Sequence, residues 1–149
     1  MSENKIAITA RKAMHDDAFV SEPGCCQMFV REIIDAVYGP TKFAMFRADS
    51  AKHAAEKWMI SPYVINHDEK FEPVPGDLLY KTHGSGGFGH VGICVGRLYL
   101  DTGDSSIYVA ENASTTIGRV SGAKGYRSLI QFGLFDVVVR LPHIGVDNA

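Results

Sequence analysis

The chain has 149 residues, 46% hydrophobic and 21% charged, with a formal net charge of -2. That length holds one hydrophobic core without disulfides or metal, so a single domain over 1–149 is expected, and the composition excludes a disordered or fibrous chain. No basic run exists to follow a phosphate backbone, so no nucleic-acid partner is expected.

Residues 1–20 read as an irregular lead-in or a short helix. Met1 to Lys5 lead into no apolar segment of a signal peptide, and no apolar run is long enough to span a membrane. The expectation is a protein made in the cytoplasm and not exported by the general signal route. Ser21-Glu22-Pro23-Gly24 is a turn. Cys26, Phe29, Val30, Ile33, Ile34 and Val37 then recur at helical steps until Gly39-Pro40. A second helix is expected over Ala51 to Trp58, capped by Asp49 or Ser50, with Phe43 to Ala48 extending it backwards. Residues 61–76, with three prolines, read as a loop. After Gly76 the chain turns β-rich: Leu78 to Lys81, His90 to Val95, Leu98 to Leu100, Ile107 to Glu111, Ser128 to Gln131 and Val137 to Leu141. Helices first and strands afterwards predict an α+β fold with an antiparallel sheet.

The chemistry lies at two junctions. Cys26 falls in the first turn of its helix, where free backbone amides and the helix dipole stabilise a thiolate. Cys25 shares the dipole but lies about 100° round the helix, off the apolar stripe, so Cys26 is preferred. His90 opens a strand after the loop Gly84 to Gly89. Alternation puts His90, Gly92 and Cys94 on one face, and Gly92 leaves that face open to close approach by a helix. Cys94, about 13 Å along the strand, reads as core. A thiol and an imidazole that meet make a nucleophile with its general base, and a third polar group must hold the imidazole's tautomer. Glu111 and Asn112 are adjacent candidates on opposite faces of one strand, so only one can face His90.

Other features fall away. Gly84, Gly86 and Gly89 match G-x-G-x-x-G, but a strand follows where a dinucleotide site needs a helix. Asp101-Thr102-Gly103 reads as a hairpin turn. The remaining histidines show no metal-ligand spacing with the cysteines, so no metal or cofactor is expected. Three cysteines, two of them adjacent, make a poor disulfide framework and suggest a reducing compartment.

Taken in order, Cys26-Gln27-Met28-Phe29-Val30, Pro75-Gly76-Asp77-Leu78-Leu79-Tyr80, Gly89-His90-Val91-Gly92-Ile93-Cys94-Val95-Gly96 and Asn112-Ala113-Ser114-Thr115 resemble the NlpC/P60 superfamily of papain-like cysteine peptidases. The CHAP amidases are near relatives. The resemblance covers about residues 23–141. It implies a papain-like fold and hydrolysis of an amide bond in bacterial peptidoglycan peptides. Cys26 would be nucleophile, His90 base and acid, and Asn112 the orienting group with Glu111 as its substitute. Lack of a signal peptide would suit a phage lysin or virion-associated wall enzyme. The chain departs from the family in having Met14-His15-Asp16-Asp17 where a tyrosine often helps form the oxyanion site, which leaves the second oxyanion donor unassigned. Two rivals stand beside this reading. One is another cysteine acyl-transfer enzyme, such as a deamidase, toxin or acyltransferase; the other is a non-catalytic binding or structural module.

Overall fold

Of the two readings of residues 1–20, the short helix is the one found. In the computed structural model, which describes residues 3–83, 85–98, 106–113 and 118–146, strand β1 (Glu3–Asn4) runs directly into helix α1 (Lys5–Ala13). The buried stripe of α1 is Ile6, Ala7, Ala10 and Ala13. This helical spacing is muted in the sequence because its buried positions are mostly alanine. The Asn4 side chain caps it by accepting from the Ala7 amide at 3.1 Å.

Helix α2 (Cys26–Tyr38) follows the predicted periodicity and buries Phe29, Val30, Ile33, Ile34 and Val37. It stops at Gly39, whose φ of 92° suits glycine. Helix α3 (Ala51–Met59) is capped by Ser50, which accepts from the His53 amide at 3.2 Å. It does not extend backwards: Ala44–Phe46 is a separate 3-10 turn, and Arg47 is extended.

The strands are β2 (Val64–Ile65), β3 (Leu78–Lys81), β4 (His90–Arg97), β5 (Ile107–Asn112), β6 (Gly118–Ser121) and β7 (Lys124–Ser128). After helix α4 (Leu129–Phe132) come β8 (Val137–Val139) and β9 (Gly145–Val146). Seven of them form one antiparallel sheet in the order β2-β8-β3-β4-β5-β7-β6, while β1 pairs with β9. The protein is therefore mixed α and β with an antiparallel sheet, as the element order predicts. Ser128 to Gln131 is a correction: only Ser128 is strand. A reciprocal capping box between Ser128 and Gln131 turns the next residues into α4. Strands β1, β2, β6, β7 and β9 are unforeseen, β2 lying inside the segment read as a loop, and the strand expected at Leu98 to Leu100 and the turn at Asp101 to Gly103 lie largely or wholly outside the described residues.

The sheet has two unlike faces. Val91, Ile93 and Val95 of β4 join Phe29, Val30 and Ile33 of α2 and the buried residues of α1 and α3 in the larger core. On the other face Leu79, Cys94, Ile107, Val109 and Val138 pack with Phe132 of α4. Among the described residues no helix is long and apolar enough to cross a membrane.

Two buried charges fasten the ends of this framework. Asp77 accepts from Arg140 Nε and Nη2 at 2.8 Å each and from the Val74 amide at 3.0 Å. Lys124 is fully buried, and its ammonium donates to the carbonyls of Ala13, Asp16 and Phe19 at 2.7, 2.8 and 3.1 Å. One cation thus ties the end of α1 and the chain leading to α2 onto the sheet. Lys124→Met, which keeps the volume but leaves those carbonyls without their donor, should cost about 3 kcal/mol of stability in urea unfolding.

Candidate active site

Cys26 opens α2, and the preceding residue, Cys25, makes no side-chain cap. The first-turn amides of Cys26, Gln27 and Met28 therefore have no intrahelical acceptor, and the positive end of the helix is left at the thiol. The turn before the helix is held from the sheet. Asn112 Nδ2 donates to the carbonyls of Glu22 at 3.0 Å and Cys25 at 3.3 Å, and the Ala123 amide donates to that of Ser21 at 2.8 Å.

His90 is the first residue of β4, and its loop is clamped from two sides. The Lys52 amide of α3 donates to the Phe88 carbonyl at 2.9 Å. Gly89 has a φ of 74°, and a Cβ there would stand 2.6 Å from the Lys81 carbonyl oxygen, so the strand begins where only glycine fits. The imidazole faces two groups: Nε2 meets Glu111 Oε1 at 2.7 Å, and Cys26 lies near enough to favour the charged ring. With Nε2 occupied by the carboxylate, Nδ1 is the nitrogen left for the thiol. Phe132 lies against the ring at a centroid distance of 5.6 Å.

The third group is Glu111. Its side chain is fully buried, and its second oxygen meets Arg127 Nε at 2.9 Å. The register explains the choice. Ile93 pairs with Ala110 and Cys94 with Val109, so continuing the ladder sets Glu111 opposite Gly92, on the face that carries His90. Asn112 falls on the opposite face, towards α2, and serves the backbone before Cys26. The expectation that Asn112 orients His90 is thus corrected in favour of its substitute, because a one-residue step along a strand reverses the face. The space at Gly92 is likewise filled otherwise than expected. A Cβ there would strike the side chain of Val109 and stand 3.0 Å from Phe132, so the helix that comes close is α4, not α2.

The other two cysteines are set apart. Cys94 is fully buried, and burial pushes its thiol up to about 12. Cys25 is partly buried, and its thiol is raised by burial and then by the charges of Glu22, Cys26 and Glu32. For His90, burial works against the charged ring. The favourable influence of Cys26 and then Glu111 on the charged ring outweighs it and raises the imidazole to about 9.

A cleft of about 840 Å³ opens on this pair. It is lined by Gln27, Met28 and Arg31 of α2, by Asp49 to Ala51, and by Phe88 and Gly89. Lys81, which pairs with His90 across β3 and β4, and Arg127 line it as well. Burial and the neighbouring Arg127 lower the Lys81 ammonium, while Glu111 raises it. Among the described residues no three His, Cys, Asp or Glu side chains gather where a metal could be held.

No protein-family model, curated protein or solved structure matches the chain. The geometry itself is that of a thiol, an imidazole and a buried carboxylate in series at the mouth of a cleft. Such a series can deprotonate a thiol and return the proton to a leaving group.

Sequence reasoning missed Arg127. Its signal was its place on β7, whose register with β5 (Val109 with Arg127, Glu111 with Gly125) puts the guanidinium diagonally beside Glu111. That strand itself had not been recognised.

Because the folded imidazole titrates near 9 and a free one near 6.5, His90 stabilises the fold fully below about 6.5. That contribution is lost as pH rises through about 9. In an NMR titration the His90 ring should show a midpoint well above 6.5. Glu111→Gln should bring it down, whereas Asn112→Ala should move it far less.

Proposed function

We propose that the chain is a cysteine hydrolase that cleaves an amide bond in bacterial peptidoglycan peptides. The single observation that carries the chemistry is the series Cys26, His90, Glu111, with the imidazole held by Glu111 Oε1 at 2.7 Å and its charge favoured by Cys26 on the other side. The substrate class comes from the resemblance of its motifs to the NlpC/P60 superfamily. The order of the fold, with the nucleophile's helix packed on an antiparallel sheet whose strand carries the base, suits a papain-like scaffold of that kind.

At neutral pH the raised His90 is an imidazolium, and the reaction starts from this ring with Cys26 as the thiolate nucleophile. The Cys26 sulfur attacks the amide carbon, forming the S–C bond as the carbonyl electrons move onto oxygen. As they return, the C–N bond breaks, and His90 gives its proton to the departing amine. Neutral His90 then takes a proton from water, whose oxygen attacks the thioester. Carboxylic acid leaves, and the thiolate and imidazolium are restored. Glu111 keeps Nε2 as the ring nitrogen that donates to it, so the other nitrogen always faces the sulfur.

Mass spectrometry of soluble peptides released from purified peptidoglycan tests this. Wild type should release fragments whose masses name the bond, and Cys26→Ala and His90→Ala should release at least about 1000-fold less. Release by wild type should also decline as pH rises through about 9, as His90 loses its proton. Equal release by Cys26→Ala would overturn the mechanism. No release by any form would overturn the substrate.

A further inference from the structure

The reading above leaves one oxyanion donor unassigned, and a buried chain of hydrogen bonds behind Cys26 supplies it. Trp58 Nε1 lies 3.2 Å from Tyr80 Oη, and that hydroxyl lies 3.1 Å from Gln27 Oε1. Direction along the chain is fixed by chemistry. An indole N–H can only donate, so the Tyr80 oxygen accepts from it and sends its own proton to Gln27. Gln27 must then present its carbonyl oxygen inward, and its –NH2 is turned the other way. Burial pushes the Tyr80 phenol well above its ordinary range, so the hydroxyl keeps the proton that sets this order. Trp58 and Tyr80 are fully buried, which gives the relay no room to reverse.

The free end of the amide is the notable one. Gln27 is 7% exposed and lines the cleft beside Cys26. Its Nε2 finds no acceptor among the described residues, yet it is not one of the polar atoms sealed from solvent. A buried glutamine whose oxygen is satisfied and whose –NH2 opens on a cleft next to a nucleophile is a donor held ready for a negative oxygen.

Resting on the assignment of Cys26 as nucleophile, we propose that the Gln27 side-chain amide is the second oxyanion donor. It acts with the Cys26 backbone amide on the oxygen of the tetrahedral intermediate. Gln27 is then a catalytic residue, and Tyr80 is a positioning residue that acts through it. Sulfur–carbon bond formation drives the carbonyl electron pair onto that oxygen, where the two N–H groups meet it. The pair returns when the leaving group departs.

Two reagents separate this role from effects on the thiol. Methyl methanethiosulfonate is attacked at sulfur and forms no oxyanion, whereas p-nitrophenyl acetate acylates Cys26 through one. Gln27→Leu should react with the first within about twofold of wild type and with the second about 100- to 1000-fold more slowly. Gln27→Glu keeps an acceptor for Tyr80 but has no –NH2, and it should show the same selective loss if the leucine variant fails to fold. Tyr80→Phe should show a smaller loss of acylation with unchanged thiol modification, which a merely structural role would not produce. Wild-type acylation in Gln27→Leu or Gln27→Glu would overturn the proposal, as would an equal loss in both reactions. Failure of wild type itself to be acylated at Cys26 would strike the nucleophile assignment, and this proposal with it.

Discussion

A fully buried carboxylate is the constraint on which the site depends. Glu111 has no access to water, so its charge must be met inside the protein, and His90 and Arg127 meet it one on each oxygen. That requirement fixes the ring plane and the nitrogen that faces Cys26, and together with Cys26 it keeps the imidazole charged up to about 9. The carboxylate does this without touching the thiol. Cys26 on one side and Glu111 on the other together overcome the burial of the ring, a force that alone would discharge it.

The site sits at one end of the sheet, where the two faces come within reach of each other. Helix α2 packs on the Val91, Ile93 and Val95 face, while His90 and Glu111 belong to the other. In the middle of the sheet those faces are separated by its thickness. At the first residue of β4 the ring can reach past the strand end to a thiol at the first residue of a helix. Both reactive groups are therefore terminal residues of their elements, and each terminus is fastened by a neighbour: Asn112 holds the turn before Cys26, and α3 holds the loop before His90. Rigid elements thus supply the precision, and the element ends supply access to the cleft.

What the sequence by itself determined is what depends on neighbours in the chain. The stripe of α2, the stop at Gly39 and a cap for α3 at Asp49 or Ser50 follow from helical spacing and local hydrogen bonding. The alternation of β4 and β5 follows from strand geometry, and it already showed that Glu111 and Asn112 could not both face His90. The choice between them was not local. It required the register of β5 on β4, which is set by how the whole sheet pairs, and it required Arg127 from a third strand to make a buried carboxylate tolerable. The same holds for α1, whose alanine stripe left a short helix and an irregular lead-in both open until packing decided, and for α4, where a four-residue capping box overrode a β-like segment. Gln27 adjoined Cys26 in plain view, but its orientation is decided by Tyr80, 53 residues away, and by Trp58 behind it. Local spacing names the groups that can react; only pairing and burial in three dimensions decide which of them meet and which way their protons point.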